Sequence, residues 1–246
     1  MHEARGLGKS FGALEVTREV SLHLPAGARH AVVGPNGSGK TTLFNLLAGE
    51  LRPDAGRVLL GGRDVTRLSP DARARLGLAR SFQRNNLFSD LTVRDSLAVA
   101  LAIARGQGAV FWRSFARLPG LAGEVEALAQ RLHLEEVLDH RARRLAYGTQ
   151  RQLELALALA GAPRVLLLDE PTAGMSAEET AAMTTLLAGL PRDIALLIVE
   201  HDMDVVFELA DRVIVLDYGR VLVEGTPAEV RASPEVRRRY LGERGR

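Results

Sequence analysis

The residues best suited to chemistry form a glycine-rich stretch, Gly34-Pro35-Asn36-Gly37-Ser38-Gly39-Lys40-Thr41-Thr42, between the apolar run 31–33 and a helical pattern. Glycines allow successive backbone N–H groups to turn inward, and the positive end of a following helix adds to their field. This spacing predicts a cradle for phosphates, in which Lys40 reaches the β- and γ-phosphates and the Thr41 hydroxyl binds Mg²⁺. The alternative is an ordinary glycine-rich loop, which the strand before and the helix after the stretch make the weaker interpretation.

Lysine use along the chain supports the same interpretation. Lysine occurs only at Lys9 and Lys40, although the chain has 32 basic residues. A phosphate loop encloses a compact ammonium group, where a wide planar guanidinium would not fit. A chain that otherwise uses arginine therefore keeps a lysine at this position.

Acidic residues and a histidine follow apolar runs in the second half of the sequence. The runs are typical of buried parallel strands separated by helices, at 164–168, 194–199 and 213–216. In such sheets ligands bind beyond the carboxyl ends of the strands, where Asp169, Glu170, Glu200 and His201 are expected. Asp169 suits Mg²⁺, and Glu170 can align or deprotonate a water molecule. The alternatives are acids that only cap a loop and a structural histidine.

The N-terminal region indicates an antiparallel sheet. Val20, Leu22 and Leu24 alternate with polar residues, as in a half-buried strand. The chain before Phe11 is short and glycine-rich, so we expect at most a weak opening strand. Phe11 is expected in a loop, where it either stacks on an adenine ring or fills the core. Its position alone leaves both interpretations open.

From Arg84 to about Ala160 the patterns are helical and predict a separate helical lobe, including an amphipathic helix over 124–138. Between its helices lies an aromatic group, Phe111, Trp112 and Phe115. A loop packed under the lobe is the favoured interpretation, and a patch facing a partner or a membrane is the alternative. Gly148, beside the start of the following helix, marks a second potential anion site.

Composition limits the class of protein. The chain has 246 residues, enough for a full core, and no cysteine, which suits a reducing cytosol. A net charge of +2 and 4% aromatic residues argue against a nucleic-acid partner. The N-terminus lacks a signal-peptide pattern, and the apolar runs are too short to cross a bilayer. We expect a soluble chain that docks on a membrane protein.

Taken in order, these motifs resemble the ATP-binding-cassette ATPases over essentially the whole chain. The motifs are the phosphate loop, Gln83, the stretch 145–150, the run 165–170, the segment 173–176 and His201. The resemblance implies an α/β fold: a P-loop NTPase (RecA-like) core with an N-terminal antiparallel β subdomain and an inserted α-helical subdomain. It implies a single domain over 1–246, with the β subdomain and first part of the core in 1–82, the helical subdomain in 83–160 and the rest of the core in 161–246.

The resemblance also implies roles for individual residues in a head-to-tail dimer that holds ATP between two copies. The implied roles are adenine stacking by Phe11, phosphate binding by Gly34 to Thr42, Mg²⁺ contacts from Thr41, Gln83 and Asp169, general-base catalysis by Glu170, γ-phosphate sensing by His201, and binding of the second copy's ATP by Tyr147 and Gly148 in the signature stretch. Gln83 would also link the nucleotide to the helical lobe, where transmembrane partners insert short helices.

One position departs from the family pattern. The family usually has a serine after the signature leucine, and this chain has Ala146. Without that hydroxyl the closed dimer loses about one charge-assisted hydrogen bond, worth roughly 1.5 to 3 kcal/mol. ATP binding is therefore the firmer expectation, and full ATPase activity the weaker one.

Within the family, 80–88, Tyr147, 173–175, 199–203 and 240–242 look like the ATPase subunits of importers for branched-chain amino acids, urea or amides. The implied partners are a second ATPase subunit, identical or related, two transmembrane permeases and, indirectly, a solute-binding protein, with no nucleic acid. The implied location is the cytoplasmic face of the cell membrane. The alternatives are a lipopolysaccharide-export ATPase, a cassette protein acting on ribosomes or DNA, and a small-molecule kinase. The solute itself cannot be identified from this subunit.

Overall fold

A computed structural model of the chain describes residues 2–81, 87–107 and 120–238. The described residues of 1–80, 164–171 and 187–246 form one compact unit, and those of 81–163 and 172–186 form another. All ten strands of the described residues belong to the first unit. Among the described residues, three α-helices of the second unit come from the stretch 84–160 with helical patterns, and a fourth comes from the part of the chain after 172.

An antiparallel sheet of four strands lies in the first unit, in the order β2-β1-β4-β5. Its strands are β1 (His2–Phe11), β2 (Leu14–Leu24), β4 (Ala55–Leu60) and β5 (Arg63–Asp64). The expectation of a weak opening strand was wrong, because β1 pairs with β2 on one side and with β4 on the other. Register shifts around Gly6 and Gly8 absorb the glycines as bulges, so the strand continues past them.

The second sheet has six strands in the order β10-β9-β3-β8-β7-β6. They are β3 (Arg29–Val33), β6 (Leu78–Arg80), β7 (Val165–Asp169), β8 (Ala195–Val199), β9 (Arg212–Asp217) and β10 (Arg220–Gly225). All neighbours pair in parallel except β9 and β10, which form the hairpin expected around Gly219. The predicted buried parallel sheet is confirmed, and its side chains alternate between two cores: Val32 packs into one, Ala31 and Val33 into the other.

Helices of the first unit pack against these sheets. They are α1 (Lys40–Ala48), α2 (Pro70–Ala74), α7 (Met203–Leu209), α8 (Pro227–Ala232) and α9 (Pro234–Val236). Phe44 and Leu47 of α1 share one apolar core with Leu22 of β2 and Leu197 of β8. The fully buried Arg73 donates from Nη1 to two carbonyl oxygens near the end of α1, at 2.8 and 2.7 Å. These contacts satisfy acceptors that the helix itself leaves open.

The second unit is helical, as predicted, with α3 (Val93–Ala104), α4 (Leu121–Arg131), α5 (Tyr147–Leu159) and most of α6 (Ala177–Ala188). The helix expected over 124–138 ends at Arg131, because His133 adopts a φ of 55° and the Leu134 N–H donates to the Ala129 carbonyl. Residues 111, 112 and 115, and so the aromatic group, lie outside the described residues. No helix among the described residues is both long enough and apolar enough to span a membrane.

Candidate functional site

The strand order brings three chemical motifs to one edge of the parallel sheet. Strand β8 lies between β3 and β7, and Val199 near its end is paired with Val32 on one side and Asp169 on the other. The chain therefore leaves β3 into the phosphate loop, β7 into Glu170 and β8 into Glu200-His201 at the same edge. This is the placement that the sequence predicts for a ligand site.

Glycines let the phosphate loop pack closely against its neighbours. A Cβ atom at Gly34 would lie 2.3 Å from the Leu216 carbonyl oxygen, and one at Gly39 would lie 2.7 Å from the Val16 carbonyl oxygen. Gly39 also adopts a φ of 102°, which side-chain-bearing residues rarely do. The Gly219 N–H donates to the Ser38 carbonyl at 3.0 Å, so the β9–β10 hairpin holds the loop from outside.

Lys40 lies inside this loop. Its Nζ donates to the Gly34 carbonyl at 2.7 Å and to the Pro35 carbonyl at 3.0 Å, and the side chain is buried. Burial lowers the pKa of Lys40, while the charges of Glu170 and Asp169 oppose that shift. The two carbonyl oxygens therefore hold the ammonium group within the loop.

Asp169 ends β7 and forms an ion pair with Arg80, for which no role was predicted. Arg80 Nη2 lies 3.0 Å from Asp169 Oδ2, and the Asp169 side chain is fully buried. Burial raises the pKa of the Asp169 carboxyl, and Arg80 acts in the opposite direction. The available signal was an arginine at the end of a strand on the ligand side. Its partner is 89 positions further along the sequence.

Glu170 and His201 come into direct contact. His201 Nε2 lies 2.9 Å from Glu170 Oε1, and with Glu170 ionised the imidazole N–H donates to the carboxylate. Glu170 adopts a φ of 50°, a strained conformation for a residue with a side chain, and its N–H donates to the Val199 carbonyl. The buried Glu200 accepts the His201 backbone N–H at 2.9 Å. Two backbone constraints therefore fix the pair.

The residues present fit a nucleoside triphosphate and its metal ion. Ser38 Oγ is buried and makes no hydrogen bond to another described residue, and α1 begins without a side-chain cap. Such a loop is suited to accept anionic oxygens. Thr41 and Asp169 supply the hard oxygen ligands that Mg²⁺ prefers. Within the described ranges no three His, Asp or Glu residues cluster as a metal site.

Phe11, Tyr147 and Gly148 lie on other elements of the structure. Phe11 ends β1 with 49% of its surface exposed and Lys9 Nζ 5.7 Å from its ring centroid, so it does not fill the core. Tyr147 and Gly148 begin α5 in the second unit, and the Tyr147 hydroxyl donates to the Ala173 carbonyl at 2.9 Å. Gln83 lies outside the described residues.

The fold and this edge of the sheet define a P-loop nucleotide-binding ATPase cassette. Residues 17–173 match the family model for ABC transporters, and residues 220–246 match the model for branched-chain amino acid ATP-binding cassette transporters. The chain belongs to the ABC transporter ATP-binding family.

Individual relatives agree with this assignment. The high-affinity branched-chain amino acid transport ATP-binding protein LivG of Salmonella typhimurium is 38% identical over 97% of this chain and 96% of its own. The lipopolysaccharide export system ATP-binding protein LptB of Acidithiobacillus ferridurans is 34% identical over 98% and 96%. The ADP conformation of MJ1267, an ATP-binding cassette of an ABC transporter, matches with a TM-score of 0.86 and 26% identity, covering 99% of each chain.

Proposed function

We propose that this chain is the ATP-binding and hydrolysing subunit of an ABC importer, with branched-chain amino acids or related small polar solutes as cargo. The observation that carries the ATPase function is the shared sheet edge, where the phosphate loop, Asp169 and the Glu170–His201 pair meet. The match of residues 220–246 to the branched-chain amino acid transporter model supports this cargo over lipopolysaccharide.

Nucleotide binding is assigned to the following groups. Backbone N–H groups of Gly34 to Thr42 and the Lys40 ammonium hold the phosphates, and the exposed ring of Phe11 stacks on adenine. Thr41, Gln83 and Asp169 hold Mg²⁺, which when bound neutralises charge on the β- and γ-phosphates. The pairing of Asp169 with Arg80 supports this role, because Arg80 also bonds to Asn45 of α1 and so holds the carboxylate beside the helix that begins at Lys40.

Hydrolysis is assigned to Glu170 and His201. Glu170 aligns the attacking water and accepts its proton, and His201 contacts the γ-phosphate. The 2.9 Å contact between the two side chains supports the assignment, because it fixes the carboxylate without consuming its second oxygen. Phosphoryl transfer depends on positioning and charge more than on covalent chemistry, so this fixed geometry is the protein's main contribution.

Each complete site would include a second copy or a related ATPase. Tyr147 and Gly148 of that copy contact the phosphates from the opposite side, with the start of α5 supplying its positive dipole end. We divide the single ATPase domain at about 82 and 160, with the helical part docking on two permease subunits at the inner face of the membrane. A solute-binding protein would deliver cargo to those permeases.

Calorimetry with ATP and Mg²⁺ tests the first half of the proposal. We expect saturable binding by the purified chain that is lost in Lys40→Ala, and no binding by the unaltered chain would contradict the function. The second half is tested by co-purifying the chain with its permeases, reconstituting them in vesicles and adding a solute-binding protein. ATP-dependent leucine uptake is expected. If the complex hydrolyses ATP but takes up no leucine, the result would contradict the proposed cargo and not the ATPase function.

A further inference from the structure

A carboxylate from α6 is bonded to the start of α5. The Gly148 N–H, in the first turn of α5, donates to Glu179 Oε1 at 3.1 Å. The other oxygen, Oε2, accepts the Ser176 N–H at 2.9 Å. Hydrogen bonds from the Ser176 backbone and side chain and from the Gly148 backbone lower the pKa of Glu179. The side chain is thus an anion held between two backbone segments of the same unit.

The beginning of α5 has no anion of its own. Its N-cap is Ala146, which makes no side-chain hydrogen bond, and its first turn contains no acidic residue. The positive end of a helix attracts negative charge, and Glu179 supplies that charge from outside the helix. Glycine at 148 allows this approach, because a Cβ atom there would lie 2.7 Å from Glu179 Oε1.

A second contact shows that the segment carrying Glu179 is fitted to the start of α5. The Tyr147 hydroxyl donates to the Ala173 carbonyl at 2.9 Å, and a Cβ atom at Gly174 would lie 3.4 Å from the Tyr147 ring. Arg151 donates to the same hydroxyl from Nη2 at 2.8 Å. The segment 173–179 therefore contacts the start of α5 at two successive residues, Tyr147 and Gly148.

We propose that Glu179 competes with ATP for the start of α5, so that closure of the dimer requires the carboxylate to release Gly148. This inference rests on the proposed function, in which Gly148 contacts the phosphates bound to the second copy. A carboxylate and a phosphate at one N–H both compete for the donor and repel each other. Glu179 then sets the ATP concentration at which two copies close.

The test uses ATP-dependent dimerisation of a Glu170→Gln parent, measured by sedimentation with ATP and Mg²⁺. Adding Glu179→Gln removes the charge and keeps one acceptor oxygen, so we expect half-dimerisation at about 5- to 10-fold less ATP. Glu178→Gln is the matched control, because Glu178 is exposed in the same turn of α6. We expect no shift for the control.

A merely structural role for Glu179 gives a different result. In that case Glu179→Gln lowers the unfolding midpoint and leaves the ATP requirement equal to or higher than that of the parent, which would overturn the inference. Glu179→Asp, which keeps the charge but shortens its reach towards Gly148, should lower the ATP requirement less than Glu179→Gln does. A parent that binds no ATP would overturn the proposed function, whereas a parent that binds ATP without ever dimerising would overturn this inference only.

Discussion

Arg80 and Asp169 form an ion pair across the ends of neighbouring strands β6 and β7, with Nη2 of the arginine 3.0 Å from Oδ2 of the carboxylate. The other terminal nitrogen of Arg80 bonds to Asn45 Oδ1 at 2.6 Å and lies 3.0 Å from Glu50 Oε1. Asn45 belongs to α1, the helix that begins at Lys40. One arginine therefore connects the proposed magnesium ligand to the helix that is proposed to bind phosphate.

Replacing Arg80 with methionine should destabilise the folded chain in the absence of nucleotide and magnesium. The change keeps the length of the side chain but removes the cation that faces the buried Asp169 carboxylate. Breaking one side of a buried pair typically costs about 3 kcal/mol or more, because the remaining charge is left uncompensated. Urea denaturation followed by circular dichroism measures the free energy of unfolding.

Two further variants serve as controls for this measurement. Arg75→Met alters an exposed arginine of the same region and should leave the free energy of unfolding unchanged within roughly 0.5 kcal/mol. The double variant Arg80→Met with Asp169→Asn should recover most of the loss, because no buried charge remains. If Arg80→Met alone is as stable as the original chain, the pair makes no net contribution to folding.

Glu170→Gln should leave ATP binding intact and slow ATP hydrolysis by roughly 10²- to 10⁴-fold. Glutamine keeps the size of the side chain and an oxygen that can accept from His201, but it cannot take a proton from water. Binding is measured by calorimetry and turnover by phosphate release. A turnover equal to that of the original chain would remove Glu170 from the general-base role.

Ala146→Ser should strengthen ATP-dependent dimerisation or raise ATPase activity. The added hydroxyl lies at the N-cap of α5, where the chain has no side-chain oxygen, and can contact the phosphate of a second copy. Ala146→Gly is the matched control, since glycine tolerates the N-cap position but adds no hydroxyl. Sedimentation and phosphate release report the two effects. An Ala146→Ser protein that behaves like the glycine control in both assays would show that this position does not limit closure.

The ligand side of the sheet could be predicted because its signals are local. Each apolar run is followed directly by its chemical residues, so the ends of β3, β7 and β8 were evident from the sequence. The opening strand was underestimated because Gly6 and Gly8 are typical strand breakers, and the pairing that retains them comes from β2 and β4, which are distant in sequence.

Contacts between distant residues could not be predicted. Arg80 reaches a carboxylate 89 positions away, and Glu179 reaches an N–H 31 positions earlier. Sequence periodicity cannot reveal either contact, because each contact depends on which strands and helices become neighbours in the fold. The end of α4 was missed for a related reason: the apolar pattern continues to Leu138, whereas the helix stops where His133 adopts a positive φ.

His2 should make the folded chain less stable in acid. It is fully buried on β1, and burial, followed by the positive charge of Arg73, lowers the pKa of His2 to about 4 from 6.5. Between these two values the unfolded chain binds the proton and the folded chain does not. The contribution of neutral His2 to the free energy of unfolding is therefore complete above pH 6.5. It falls by up to about 3 kcal/mol as the pH is lowered towards 4.

Denaturation of His2→Phe at several pH values between 4 and 7 measures this contribution. Phenylalanine keeps a ring in the core but cannot be protonated, so the free energy of unfolding should fall much less on acidification than in the original chain. Part of the loss should remain, because burial also lowers the pKa of His30 on β3. His140 is exposed, and His140→Phe should show the pH dependence of the original chain. Equal acid sensitivity in His2→Phe and the original chain would mean that folding does not lower the pKa of His2.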